Sequence, residues 1–328
     1  MHEFQQVMLQ EGNELRYARK HIDKMLRDAI MSNEDIMAKH EKGVMLMNAY
    51  INTTYSYDSK NRRVAQLVNM DLNELVMDVF VGVCYTQTPE LFTSVTSQMA
   101  GRLQMSDKPE AIQTIAEIMA VLCMTDAFDI MKASSGASLM IQSRIPLPDE
   151  LLEYVAHSEY LPPMVCTPKV ISSNYESGYL TLTDSLLLGN GNHHDGDLCL
   201  DVINKVNAVA LSLDLEFLSI VEETPKDITL ENIQKEAMKR GQILSDAEAK
   251  QRMQKALENW DKFKAQSYVF YSLMAQQGNR FHLLNKWDKR GRMYAQGYHI
   301  TTQGAPFKKS SIEFADPELI EVPPEYQL

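Results

Sequence analysis

Five of the chain's 12 prolines fall between Pro146 and Pro168, and they decide where long helices can run. A proline ring removes a backbone donor and clashes with the preceding turn, so Pro146, Pro148, Pro162, Pro163 and Pro168 break any helix through that segment. Upstream there are only Pro89 and Pro109, and apolar residues recur at three- and four-residue steps. Val7, Met8, Leu15, Ala18, Ile22, Met25, Leu26 and Ile30 form one such series; Val64, Leu67, Val68, Leu75, Val79 and Val83 form another. The first 145 residues are therefore expected to be helical, with Pro89 and Pro109 at helix starts and Ser134-Ser135-Gly136 as a break. Arg144 to Gly191 is expected to be irregular, with strand-like alternation from Tyr179 to Thr183. Helical periodicity resumes from Leu198 to Leu218 through Val202, Val206, Val209 and Leu213. After a linker at Thr224-Pro225, a charged helical stretch runs from Leu230 to Gln276.

A chain of 328 residues can form two or three domains with a sizeable core. Its formal net charge of −12 argues, taken alone, against nucleic-acid binding. The charge is unevenly placed, however. Lys286 to Lys309 holds six basic residues and one acidic one, whereas Glu313 to Glu325 holds five acidic residues and no basic one. Because screening confines each patch to roughly 10 Å, a basic strip on an acidic protein can still hold phosphates. Lys235, Lys239, Arg240, Lys250, Arg252, Lys255, Lys262 and Lys264 likewise outnumber the acids of their helical stretch. Cys84, Cys123, Cys166 and Cys199 are widely spaced among apolar residues, which reads as buried thiols in a reducing cytoplasm rather than a disulfide framework or zinc ribbon. Methionines such as Met45, Met47, Met119 and Met124 read as core filler, with a subunit interface as the alternative. No secretory leader and no apolar run of roughly 20 residues is present, so a soluble protein is expected.

Trp287-Asp288-Lys289-Arg290-Gly291-Arg292-Met293-Tyr294-Ala295 concentrates the chemistry. Gly291 removes a Cβ and so permits close approach to a polyanion, Lys289 and Arg290 add charge, and Arg292 offers a planar fork to phosphate. Asp288 is expected to orient Arg292 or brace the turn. Downstream follow Gln303-Gly304, Lys308-Lys309 and Ser311-Ile312-Glu313-Phe314-Ala315. This ensemble resembles the D-x-x-G-R segment that opens the palm of single-subunit RNA polymerases of the bacteriophage T7-like and mitochondrial type. In that family the motif is followed by a tyrosine, a loop ending in Q-G or a similar pair, a lysine, and an L-L-E-F-A-like strand. A second stretch, Leu161-Pro162-Pro163-Met164-Val165-Cys166-Thr167-Pro168-Lys169 with Ser177-Gly178-Tyr179, is similar to the family's L-P-P-M-x-x-P-x-P-W and G-G-Y segment. It departs in having Val170-Ile171 for the tryptophan and Ser177 for one glycine, and the loop between Tyr294 and Gln303 is about one residue longer. The resemblance covers residues 160–315.

What it implies is a mainly α chain with a smaller α+β part: an N-terminal domain over 1–219, a thumb-like helical hairpin over 220–278, and the beginning of a palm with an acidic tail over 279–328. The family's catalytic aspartates, nucleotide-binding lysine and tyrosine, and final histidine-aspartate pair all follow D-x-x-G-R. Here only Asp316 follows as an aspartate. The resemblance is thus to the small subunit of an enzyme divided between two chains, as in the heterodimeric RNA polymerase of N4-like phages. Such a subunit has no catalytic residue of its own and works in the cytoplasm of an infected bacterial host. Arg292, Arg290, Lys289, Gly291, Tyr294, Lys308 and Lys309 would bind template and hybrid, with Asp288, Gln303 and Gly304 supporting the motif. A catalytic large subunit would supply fingers, aspartates and Mg2+, docking on the edge left at 281–315. Template DNA and nascent RNA are the implied ligands. The short region before Leu161 adds a need for single-stranded template or for single-stranded-DNA-binding or promoter-activating helpers. The alternatives are a DNA-binding or promoter-recruitment accessory protein and a helical structural or interaction protein. Asn192-His193-His194-Asp195-Gly196-Asp197 with Cys199 reads as a polar loop rather than a metal site, Asp195 or Asp197 capping the next helix.

Overall fold

The computed structural model describes residues 2–103, 105–133, 136, 138–189, 192–220 and 228–317. The protein is mainly helical with small sheets. It divides into two compact units, one of Asn13–Leu161 with Gly189–Asn192, the other of Met1–Gly12, Pro162–Leu188 and His193–Leu328. Contacts thus part the chain inside the proline-rich segment and group Pro162–Leu188 with the stretch from His193 onward.

In the N-terminal unit the helices follow the apolar spacing. They are the end of α1 (Glu3–Tyr17), whose residues up to Gly12 belong to the other unit, α2 (Arg19–Met31), α3 (Glu34–Ile51), α4 (Asp58–Ala65), α5 (Leu72–Val83), then, after the short β1 (Glu90–Leu91), α6 (Phe92–Met99) and α7 (Lys108–Leu122). Asn33, Asp71 and Asp107 cap α3, α5 and α7 by accepting backbone N–H bonds, and each such cap contributes about 1 kcal/mol. Ile22, Leu26 and Ile30 of α2, Val79 and Phe80 of α5, and Ile115, Ile118 and Met119 of α7 meet in one fully buried core. Pro109 sits in the first turn of α7 as expected, but Pro89 precedes β1 rather than a helix.

The all-helical expectation for this region also fails between 128 and 143. There β2 (Phe128–Lys132) and β3 (Leu139–Ser143) pair antiparallel, and β1 joins the other edge of β3. A strand this short cannot be told from a helical turn by periodicity; in the register that forms, Phe128 lies opposite Ser143 and Ile130 opposite Ile141, with Phe128 and Ile141 fully buried. Ser134 and Ser135 lie outside the described residues. Met47 and Met119 fill the core, while Met45 and Met124 are more than half exposed. After the strands, α8 (Asp149–His157) completes the unit.

The C-terminal unit is organised around residues 281–287. Phe281 exchanges two backbone hydrogen bonds with Leu211, at 2.8 and 2.9 Å, and His282 exchanges two with Met164, at 3.0 and 2.7 Å. The L-P-P-M segment is thereby tied to the stretch that leads into D-x-x-G-R. α9 (Leu200–Asn207), β4 (Leu211–Leu213) and α10 (Leu215–Ile220) occupy the region expected to be helical throughout; β4 is the exception, because its carbonyls and amides are taken by Phe281 and by the last strand. Tyr179–Thr183 is not a strand. Tyr179 and Leu180 instead pack on Met164, Cys166 and Leu284. Gly178 permits this approach, since a Cβ there would lie 2.6 Å from Leu284 Cδ2.

The charged stretch forms α11 (Leu230–Lys239) and α12 (Asp246–Gln276). Ser245 and Glu248 close a capping box at the start of α12, which at 31 residues is about 46 Å long. Only its C-terminal half has a buried stripe, Ser267, Phe270, Tyr271 and Met274; its N-terminal half is covered on one side at Ala249. Thr224-Pro225 lies outside the described residues. The chain continues through β5 (Asn285–Trp287), β6 (Met293–Ala295), α13 (Pro306–Ser310) and β7 (Ile312–Phe314), with β5 pairing β6 and β7 pairing β4. No described helix is long and apolar enough to cross a membrane.

Candidate nucleic-acid interface

D-x-x-G-R forms the tip of the β5–β6 hairpin. The Asp288 N–H donates to the Arg292 carbonyl at 2.8 Å and closes a three-residue loop, Lys289-Arg290-Gly291. Such loops end on a left-handed residue, and Gly291 has φ +77°. A Cβ at Gly291 would meet no heavy atom within 4 Å, so backbone conformation, rather than crowding, demands glycine within the protein itself. Gly291→Ala is expected to cost about 1 kcal/mol and Gly291→Asn less, giving the order wild type, Asn, Ala in thermal unfolding midpoint.

The Asp288 carboxylate organises the loop. One oxygen, Oδ1, accepts the backbone N–H groups of Arg290 and Arg292 at 2.8 and 2.9 Å. The other, Oδ2, accepts Arg290 Nε and Nη2 at 3.1 and 3.0 Å and Arg292 Nε at 3.1 Å. Five N–H bonds thus hold a carboxylate that is 14% exposed, while Arg290 and Arg292 remain 71% and 53% exposed. Asp288 both braces the turn and orients two guanidinium groups toward solvent. Tyr294 is half-buried on β6 with the Arg292 guanidinium 5.9 Å from its ring centre.

Both edges of the hairpin are fixed. On the β5 side, Leu188 donates to the Trp287 carbonyl and Trp287 donates to the Leu186 carbonyl, each at 2.8 Å. On the β6 side, Gln303 acts as a side-chain substitute for a strand, accepting the Ala295 N–H at 3.1 Å and donating to the Met293 carbonyl at 3.0 Å. Gly304, next to it, has φ +145° and turns the chain toward α13.

The six cations of the 286–309 strip have different fates. Lys286 pairs with Asp184. Lys308 donates to the Tyr298 carbonyl at 2.7 Å and lies 4.3 and 4.6 Å from the Tyr298 and Phe263 ring centres, where burial lowers its pKa. Lys289, Arg290, Arg292 and Lys309 stay exposed. The structure therefore brings together Asp288, Lys289, Arg290, Gly291, Arg292, Tyr294 and Gln303, and commits Lys308 to packing.

That packing supports the site. His299 lies between Phe263 and Phe270, at 5.3 and 5.0 Å between ring centres, and its Nδ1 bonds Ser267 Oγ at 2.8 Å. Trp260 stacks on Phe263 at 5.5 Å and meets Phe307 edge-on. The loop that delivers Gln303 to β6 is thus seated on α12 by aromatic contacts invisible to motif reading.

The acids near the hairpin are also committed. Asp316 forms a two-pronged pair with Arg280 at 2.6 and 2.7 Å. Asp197 accepts the Cys199 N–H at 2.8 Å and Asp195 pairs with the Tyr175 hydroxyl, so neither caps α9; its N-cap is Cys199 itself, at φ +52°. Cys199 is exposed, unlike buried Cys84 and Cys166, because this left-handed turn carries it to the surface. Among the described residues no group of three or more His, Cys, Asp or Glu is placed to hold a metal ion. No protein-family model matches the chain, and no curated protein matches it significantly.

Proposed function

We propose that the chain is the noncatalytic subunit of a DNA-directed RNA polymerase of the single-subunit, T7-like type, divided between two polypeptides. The observation that carries this reading is the hairpin tip, where one carboxylate fixes two exposed arginines in a family-like D-x-x-G-R. Phosphates of a template or hybrid are the ligands such a tip suits, since a pre-oriented fork loses little freedom on binding. The long α12 adds a second support. Arg252, Lys255, Asn259, Lys262 and Gln266 are all exposed, and their three- and four-residue spacing puts them on one face without an intervening acid. A thumb tracking a phosphate backbone needs such a face.

The partner chain supplies fingers, catalytic aspartates and Mg2+. Asp288 and Asp316 are held by Arg290, Arg292 and Arg280, so in this reading the metal-binding carboxylates come from the partner. The partner docks at the outer edge of β7, where Phe314 is 69% exposed. In this arrangement the chain positions nucleic acid and the partner performs nucleotidyl transfer.

Fluorescence anisotropy with a labelled RNA–DNA hybrid tests the positioning role. Arg292→Ala is expected to weaken binding by roughly ten- to a hundredfold and Lys309→Ala by less, each reducing the salt slope by about one ion. Lys308→Ala is expected to lower thermal stability while leaving the salt slope unchanged. Equal slopes for Lys308→Ala and Arg292→Ala would remove the basis for the assignment.

A further inference from the structure

A cleft of about 470 Å³ lies between the hairpin turn and the 193–199 loop, in the size range of small-molecule sites. Trp287, Asp288 and Lys289 line one side; His193, His194 and Asp197 line the other. The loop is held in shape. Asn174 Nδ2 donates to both the His194 and Gly196 carbonyls, at 2.6 and 2.7 Å. Gly196 lies against the His194 ring, where a Cβ would come within 2.6 Å of Cε1. The Gly196 N–H donates to His194 Nδ1 at 2.9 Å, which places the ring proton on Nε2 and makes that nitrogen a donor. Lys289 is exposed, and its ammonium has no partner among the described residues. The Trp287 indole N–H is buried and likewise meets no acceptor among them. Asp288 is saturated by its five donors, which leaves Asp197 with one carboxylate oxygen not used on Cys199.

Two donors, an indole and one carboxylate acceptor make a set that bare phosphate does not exhaust. We propose that the cleft binds a nucleoside phosphate, with the phosphate on Lys289 and His194 Nε2, the base against Trp287 and a sugar hydroxyl on Asp197. The ligand is a free nucleotide or one unit of a single strand. The choice of nucleic-acid chemistry rests on the reading of the hairpin given above.

The chain has only two tryptophans, Trp260 and Trp287, so the indole N–H resonance of Trp287 is assignable with a Trp260→Phe variant and reports the cleft directly. The full chain would be titrated with AMP, with a short single-stranded oligonucleotide and with inorganic phosphate. A saturable shift of that resonance with AMP or the oligonucleotide is expected, the responding arm identifying the source, and phosphate alone should bind at least about tenfold more weakly. His194→Ala and Lys289→Ala should each weaken the response about tenfold, and His194→Gln, which retains a donor, should recover part of it. Lys289 is an exposed loop residue, so its variant tests the cleft without threatening the fold. No shift with either nucleotide probe, or a shift unaffected by both alanine variants, overturns the proposal. His194→Ala should leave hybrid binding through Arg292 intact. Loss of hybrid binding in Arg292→Ala with an intact AMP response, or the reverse, shows which of the two readings stands.

Discussion

Replacing Asp288 with alanine is expected to weaken binding of an RNA–DNA hybrid about tenfold, although it removes a negative charge beside three cations. Simple charge counting gives the opposite sign: deleting a carboxylate near phosphates should tighten binding. The carboxylate, however, holds Arg290 and Arg292 through three side-chain bonds and holds their backbone amides through two more. Without it, each arginine must be ordered by the ligand, at about 0.5–1.5 kcal/mol per side chain, and the turn loses its internal acceptor. The two costs exceed the gain from one less exposed charge, because interactions in water over several ångströms are worth about 1 kcal/mol or less. Asp288→Asn, which keeps an acceptor, should fall between. Anisotropy at two salt concentrations separates the effects, since loss of preorganisation lowers affinity while the salt slope stays near that of wild type.

Stability of the C-terminal unit should fall by about 2 kcal/mol between pH 7.5 and pH 5 through His299 alone. Burial between Phe263 and Phe270, with a smaller contribution from the Lys308 charge, pushes its pKa down to about 4. The unfolded chain, with an ordinary histidine near 6.5, binds the proton more readily than the folded one across that interval. The stabilising difference is therefore complete above about pH 6.5 and is lost progressively as pH falls toward 4. Urea unfolding at the two pH values should show this dependence in wild type and its reduction in His299→Phe, which keeps the ring and removes the titration. A wild-type dependence carried over unchanged into His299→Phe would place its origin elsewhere. Because this cluster seats the loop bearing Gln303, its loss on acidification should also loosen the β6 edge of the hairpin.

Legibility of the fold followed physical scale. Long amphipathic series such as Ile22, Leu26 and Ile30 identified helices because one periodic face had one core to meet. Strands of three to five residues escaped, as at Phe128–Lys132 and Leu211–Leu213, because their partners lie elsewhere in the chain and set the state. Tyr179–Thr183 shows the converse, an alternating pattern that forms no strand while Tyr179 and Leu180 pack on Met164 and Cys166. At the site, Gly291 read as room for a polyanion and is a left-handed turn residue, whereas the brace at Asp288 was legible because its acceptor acts within five residues. The fate of each lysine was not. Lys286 and Lys308 look like Lys289 and Lys309 in sequence, and differ through Asp184, Phe263 and Tyr298, which are brought to them only by folding. The His194 loop reads as a polar connection in one dimension and lines a cleft beside Trp287 in three.

The most direct test of the central proposal is template-dependent ribonucleotide incorporation, in the presence of Mg2+, by this chain purified with its stoichiometric partner. Incorporation encoded by the template, absent from the chain alone and reduced by an order of magnitude or more in Arg292→Ala, is the predicted result. A stoichiometric complex that incorporates nothing on any template, or one that works undiminished with Arg292→Ala, would contradict it.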